Sequence, residues 1–232
     1  MKTLTTAMCA ALALALAAPV AGLAAEPPAS WDGLIRVKSK RLQNVYLLPG
    51  ADFSGYSQVL LDPSEVAFRK DWLRDYNMSS VGLDDRLSAA DAQKMIAKAQ
   101  TGFDQIFAKA CTSAGLQVAT QPGPGVLRVR TAVVNVFVDA PDTNSIGMER
   151  SYSPEAGGAT LVLEVRDSQT NALLGRAVDG RIAGDTGPYV RNSVTNRQDF
   201  GVLFRQWAKS SIEGLEALKT APAPASPIKA SN

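Results

Sequence analysis

Ala92, Ile96, Ala99, Phe103, Ile106, Phe107 and Ala110 recur at spacings of three and four, the period of a helix with one buried stripe. Ser88 and Asp91 stand where a capping box would start that helix, and Gly115 where it would stop. A second stripe, Phe200, Leu203, Phe204, Trp207, Ile212, Leu215 and Leu218, predicts a last helix, with its capping box read at Thr195-Asn196-Arg197-Gln198. Other stretches read as strands. Residues 45–48 end at the turn pair Pro49-Gly50, and residues 57–61 end at Asp62-Pro63. Val66, Phe68, Lys70 and Trp72 share one face if the chain there is an extended edge strand, and 76–87 read as a loop.

Residues 116–119 read as a short strand and 126–138 as a long one whose phase shifts. Leu127 and Val129 have one parity; Val134, Val136 and Val138 have the other. A bulge near Thr131 to Val133 reconciles them, as does burial of both faces in the second half. Ala159, Leu161, Leu163 and Val165 alternate with more polar neighbours. Asp167 to Asn171 is turn chemistry, and Leu174, Val178 and Ile182 mark the returning strand. Gly123-Pro124-Gly125 and Gly157-Gly158 read as turns, since neither opens a helix that could cradle a phosphate. Two apolar helix stripes need a sheet to cover. The expected fold is therefore α+β: a two-layer sandwich with a mainly antiparallel sheet and two amphipathic helices on one face. It is expected as a single domain over 31–219, followed by a disordered Pro/Ala-rich tail at 220–232.

The N-terminus changes the setting. Lys2, the apolar run from Ala7 to Ala18, and Gly22-Leu23-Ala24 have the layout of a signal peptide over 1–25, cleaved after Ala24 or Ala25. Removing residues 1–24 takes one lysine from the 24 basic groups and none from the 22 acidic ones, leaving 23 against 22. Such a balance gives no reason to expect nucleic acid. No later run is long enough for a transmembrane segment, so the mature chain is read as periplasmic or secreted. Cys111 would be its lone thiol, expected buried near the end of the first long helix.

The chain has no histidine, which removes Ser-His-Asp and Cys-His catalysis and the usual His-containing metal sites. No metal or cofactor motif is legible. Asp62, Glu65, Asp71 and Asp75 could supply a carboxylate pair for glycoside hydrolysis, but turn-forming and solvated acids explain them more simply.

Trp31-Asp32-Gly33-Leu34, Leu48-Pro49-Gly50-Ala51-Asp52-Phe53, Leu61-Asp62-Pro63 with Val66-Ala67-Phe68-Arg69, and the stretch from Glu164 to Thr170 resemble the DUF3313 family. That resemblance implies an exported or lipid-anchored bacterial envelope protein, in a Gram-negative periplasm, without an assigned activity. The chain lacks the cysteine that lipidated members acylate.

In the expected meander, the loops at 139–158 and 184–194 leave one edge of the sheet. They bring Glu149, Arg150, Tyr152, Asp185, Tyr189 and Arg191 toward a common rim, the preferred recognition surface. Trp72 is a further candidate anchor, with a core indole as its plainer reading. The functional expectation is a non-catalytic binding or envelope-assembly module with an envelope protein partner. A carboxylate hydrolase acting on an envelope polymer and a small-ligand carrier stay open beside it.

Overall fold

Three long strands form the middle of the sheet, and the alternation of their residues decides where everything else packs. The computed structural model describes residues 26–80, 86–139, 151–153, 155–184, 189–221 and 224; the expected export segment and most of the expected tail lie outside them. Strands β1 (Ser30–Trp31), β2 (Leu34–Val37), β3 (Asn44–Leu47), β4 (Gln58–Leu61) and β5 (Glu65–Phe68) lead to helix α1 (Trp72–Ser79). Helix α2 (Ala89–Ser113), β6 (Gln117–Val118), β7 (Val126–Val138) and β8 (Ser151–Ser153) follow. Then come β9 (Gly157–Asp167), β10 (Leu173–Ala183), β11 (Tyr189–Arg191) and α3 (Ser193–Thr220). The class is α+β, as its hydrophobic periods imply. The main sheet runs β1-β2-β3-β10-β9-β7-β4-β6, with β5 also on β7; β8 and β11 form a separate two-stranded ribbon.

Register puts Val129 beside Val165, Val133 beside Leu161, and Leu161 beside Asp179. These residues are buried, and the Trp207 indole of α3 reaches Asp179, so this face lies under the helices. Phe103 of α2 meets Phe204 of α3 edge-on at 5.2 Å, joining the two helix stripes across the core. Burying side chains of this size stabilises by roughly 1.5–3 kcal/mol each. Cys111 is in the same core, where burial pushes its thiol up to about 11, so it is poorly nucleophilic.

The opposite face is polar along much of its width. Arg36, Tyr46, Arg176, Glu164 and Arg130 form one cross-strand row. Glu164 accepts from Arg176 at 2.6 Å and from Arg166 at 2.8 Å. Its burial alone would raise the carboxyl, but the two guanidiniums outweigh that and hold it below the usual carboxylate range. Arg176 also stacks under Trp31, 4.1 Å from the ring centroid, pinning the first strand to the sheet.

Several expectations need correction. The sheet is antiparallel from β1 through β7, as expected, but its other edge is parallel: β4 and β5 run parallel to β7, as β6 does to β4. Residues 65–68 are a strand, but Asp71 turns the chain with φ 62 and Trp72 begins α1, which occupies the first part of the expected loop. The bulge lies between Val134 and Phe137, where Asn135 adopts φ 53, and not at Thr131 to Val133. Asparagine tolerates that left-handed conformation better than the neighbouring β-branched residues. Gly157 and Gly158 are the first residues of β9 and not a turn. Leu174, Val178 and Ile182 do lie in the returning strand β10, with Val178 and Ile182 on the face away from Asp179 and Ile182 45% exposed. Helix α3 starts at Ser193, capped by Asn192 with Thr195 as the reciprocal partner, three residues before the expected box.

One tether makes the fold sensitive to alkali. The Tyr56 hydroxyl donates to Asp167 Oδ2 at 2.9 Å, tying the loop before β4 to the β9–β10 hairpin. Burial and the Asp167 carboxylate push the Tyr56 phenol from 10.0 up to about 12. A group raised in the folded state contributes its stability below its unfolded pKa and loses it as pH climbs toward the folded one. The urea midpoint is therefore expected to fall between about pH 10 and 12. Tyr56→Phe should remove part of that slope.

Candidate functional site

Helices α2 and α3 touch at Phe103 and Phe204, and toward the N-terminal half of each a groove of about 1110 Å³ opens between them. Its floor is the sheet: Val66 and Phe68 of β5, with Val136 and Val138 of β7. The bulge at Asn135 is what turns Val136 and Val138 to the helix side, since three steps of β7 there match two of β9. Met95, Ile96 and Ala99 form one wall; Phe200 and Phe204 form the other. The space exists because small residues stand where larger ones would close it. Gly102 of α2 and Gly201 of α3 both line the groove, and a Cβ on Gly102 would meet nothing within 4 Å. Glycine inside a helix costs about 1 kcal/mol against alanine, so two of them facing one space are locally unfavourable choices.

The rim is strongly one-signed. Arg86, Lys94, Lys98, Arg197 and Arg205 line the groove with a single acid, Asp91, an excess of four positive charges on a chain whose total is +2. Asp91 serves the helix start: it accepts from the Ser88 hydroxyl at 2.6 Å, a bond that with Lys94 holds its carboxyl below the usual range. Lys94 pairs with it at 3.3 Å, whereas the other four cations make no ion pair with a described acid.

The candidate acids do not meet there. Asp62 sits in the break between β4 and β5, where it accepts from Arg128 at 2.8 Å and from Arg130 at 3.0 Å. Asp71 and Asp75 flank Arg74 on α1, and Glu65 is exposed on β5. Among the described residues the groove offers no facing pair of carboxylates.

Trp72 is 4% exposed, stacked on Phe68 at 4.1 Å, and its indole N–H donates to the Val138 carbonyl at 3.2 Å. It thus braces the groove floor from behind. Glu149, Arg150 and Asp185 lie outside the described residues. Tyr152, Tyr189 and Arg191 are placed by backbone alone: Val190 pairs with Tyr152, Arg191 with Ser151, and Tyr189 with Ser153. The two long loops do therefore pair, and β11 runs through Asn192 directly into α3. The groove itself was missed from sequence; Gly102 and Gly201 inside apolar helix patterns were its legible signal.

A family model described as "Protein of unknown function (DUF3313)" matches residues 25–211. Comparison with curated proteins finds no match. Among solved structures, a PelC dodecamer from Paraburkholderia phytofirmans is similar at 10% identity and a TM-score of 0.38, covering 74% of this chain and 97% of that one. Protein XCC0632 from Xanthomonas campestris, of the DUF330 type, is similar at 12% identity and a TM-score of 0.36, covering 73% and 87%.

Proposed function

The chain belongs to the DUF3313 family, and from that premise we propose that it is an exported binding module which works by contact and not by turnover. The observation that supports this reading is the groove between α2 and α3, an apolar space of about 1110 Å³ with a basic rim and no facing acid pair. Ligand sites are concave, mostly apolar and fitted with a few polar groups, and this volume lies just above their usual range. The carboxylates a hydrolase would need are instead spent on arginines and on a helix cap. The signal-peptide pattern at 1–25 supports export to the periplasm, and no described helix is long and apolar enough to cross a membrane. Glu149, Arg150, Tyr152, Asp185, Tyr189 and Arg191 remain the proposed contact surface for an envelope partner, carried by the segments before β9 and before α3.

Filling the groove tests the reading. The neutral fluorophore Nile red should bind the purified protein with increased emission. Gly102→Trp should remove about 90% or more of that increase, since an indole replaces ligand volume at a site with open space. Unchanged binding in a Gly102→Trp protein of wild-type circular dichroism would rule the groove out.

A further inference from the structure

We infer that the groove takes an anionic phospholipid, its acyl chains between α2 and α3 and its phosphate at the basic rim; this rests on the binding-module reading above and specifies the ligand. The first argument is lining. Val66 and Phe68 of β5, Met95 and Ile96 of α2 and Phe200 of α3 line the groove and are only part-buried. Apolar surface left part-open around a space of about 1110 Å³ suits methylene chains.

The second argument is position. The groove lies at the seam between two hydrophobic clusters. Phe204 and Val136 belong to the main core; Leu87 and Val138 belong to the smaller cluster around Trp72. Apolar groups inserted there contact both clusters, and the flexible Met95 on one wall can adapt to chains of different shape.

Charge is the third. Arg86, Lys98, Arg197 and Arg205 gather at the mouth without acidic partners among the described residues. Uncompensated cations around an apolar opening repel one another and favour an anion held at the surface end of the ligand. Guanidinium groups in particular match phosphate oxygens in a bidentate fashion.

The test compares phosphatidylglycerol with phosphatidylcholine, which share acyl chains and differ in net charge. Purified protein is incubated with pyrene-labelled lipid of each type, and lipid retained after vesicle removal is counted by native mass spectrometry and fluorescence. Phosphatidylglycerol should bind about tenfold or more tightly than phosphatidylcholine, the size expected of hydrogen bonds to a charged group. The Lys98→Glu/Arg205→Glu double variant, with wild-type circular dichroism, should lose the preference for phosphatidylglycerol. Gly102→Trp should lose binding of both lipids and of Nile red. Equal binding of the two lipids, or a preference that survives charge reversal, would overturn the inference. So would displacement of Nile red by an acidic amphipathic peptide with no lipid uptake, which would assign the groove to a protein partner. Nile red binding without lipid uptake removes only the lipid assignment; absence of both removes the binding-groove reading as well.

Discussion

Replacing Asp179 with alanine is expected to destabilise the fold by about 2–5 kcal/mol, the summed effect of leaving two donors without their acceptor. Asp179 is 1% exposed, on the helix-facing side of β10. Its Oδ2 accepts from the Trp207 indole N–H at 2.8 Å and from Arg181 Nε at 2.5 Å. Its Oδ1 accepts from the backbone N–H of Gln43 at 2.8 Å. One carboxylate thereby joins the sheet, helix α3 and the connection before β3. Alanine leaves the buried indole N–H and the Gln43 backbone N–H without their acceptor, each costly unpaired, whereas Arg181 is 28% exposed and still donates to the Arg41 carbonyl. Against a total of about 5–15 kcal/mol, that loss is a large share of the fold's stability. Asp179→Asn should cost less, about 1–3 kcal/mol, because one oxygen still accepts while the amide faces a donor. Urea denaturation checks both: the midpoint should fall with the slope unchanged. A loss below about 1 kcal/mol for alanine would show that water replaces the carboxylate, contrary to its burial.

Asp179 also marks where sequence reading stops. Leu174, Val178 and Ile182 outlined the strand, but the helix-facing register carries Ala177 and a charged residue. A buried acid inverts the apolar pattern, and only its three donors, distant in sequence, make that placement affordable. Local signals fared better. The Ser88 and Asp91 box sits where it was read because both partners are within one turn. The α3 start was misplaced for a related reason: Thr195 fits a capping box in either role, and the structure uses it as the third helical residue behind Asn192.

Pairing between distant strands was not legible at all. Val59 beside Leu127 and Val66 beside Val133 are parallel neighbours, and alternation within a strand does not name its partner. The groove belongs to the same class. Lys94 and Lys98 share a helix face by spacing, but their meeting with Arg197 and Arg205 depends on how α2 and α3 cross. Empty volume is harder still to read, since it is defined by side chains that are missing.

The largest backbone effect is expected at Gly157, where alanine should cost about 3 kcal/mol or more, the range of strain plus a broken core contact. Gly157 opens β9 at φ 142, a conformation that L side chains rarely adopt. It pairs with Val138 on one side and Ala183 on the other, in the middle of the sheet. A Cβ there would overlap the Phe137 carbonyl oxygen and lie 2.9 Å from Val138 Cα. These are backbone atoms, so no rotamer change relieves the contact. The strand must instead separate from β7 just past the Asn135 bulge, where Val136 and Val138 are aimed at the groove floor. Gly214→Ala is the control. It lies inside α3 with nothing within 4 Å of its added Cβ. That change should stabilise by about 0.5–1 kcal/mol through helix propensity alone. Opposite signs for the same substitution, with amide exchange rising at 136–138 only in Gly157→Ala, would establish that close backbone approach sets the bulge. A Gly157→Ala protein as stable as wild type would mean that β7 and β9 can pair there without it, and the direction of Val136 and Val138 would need another cause.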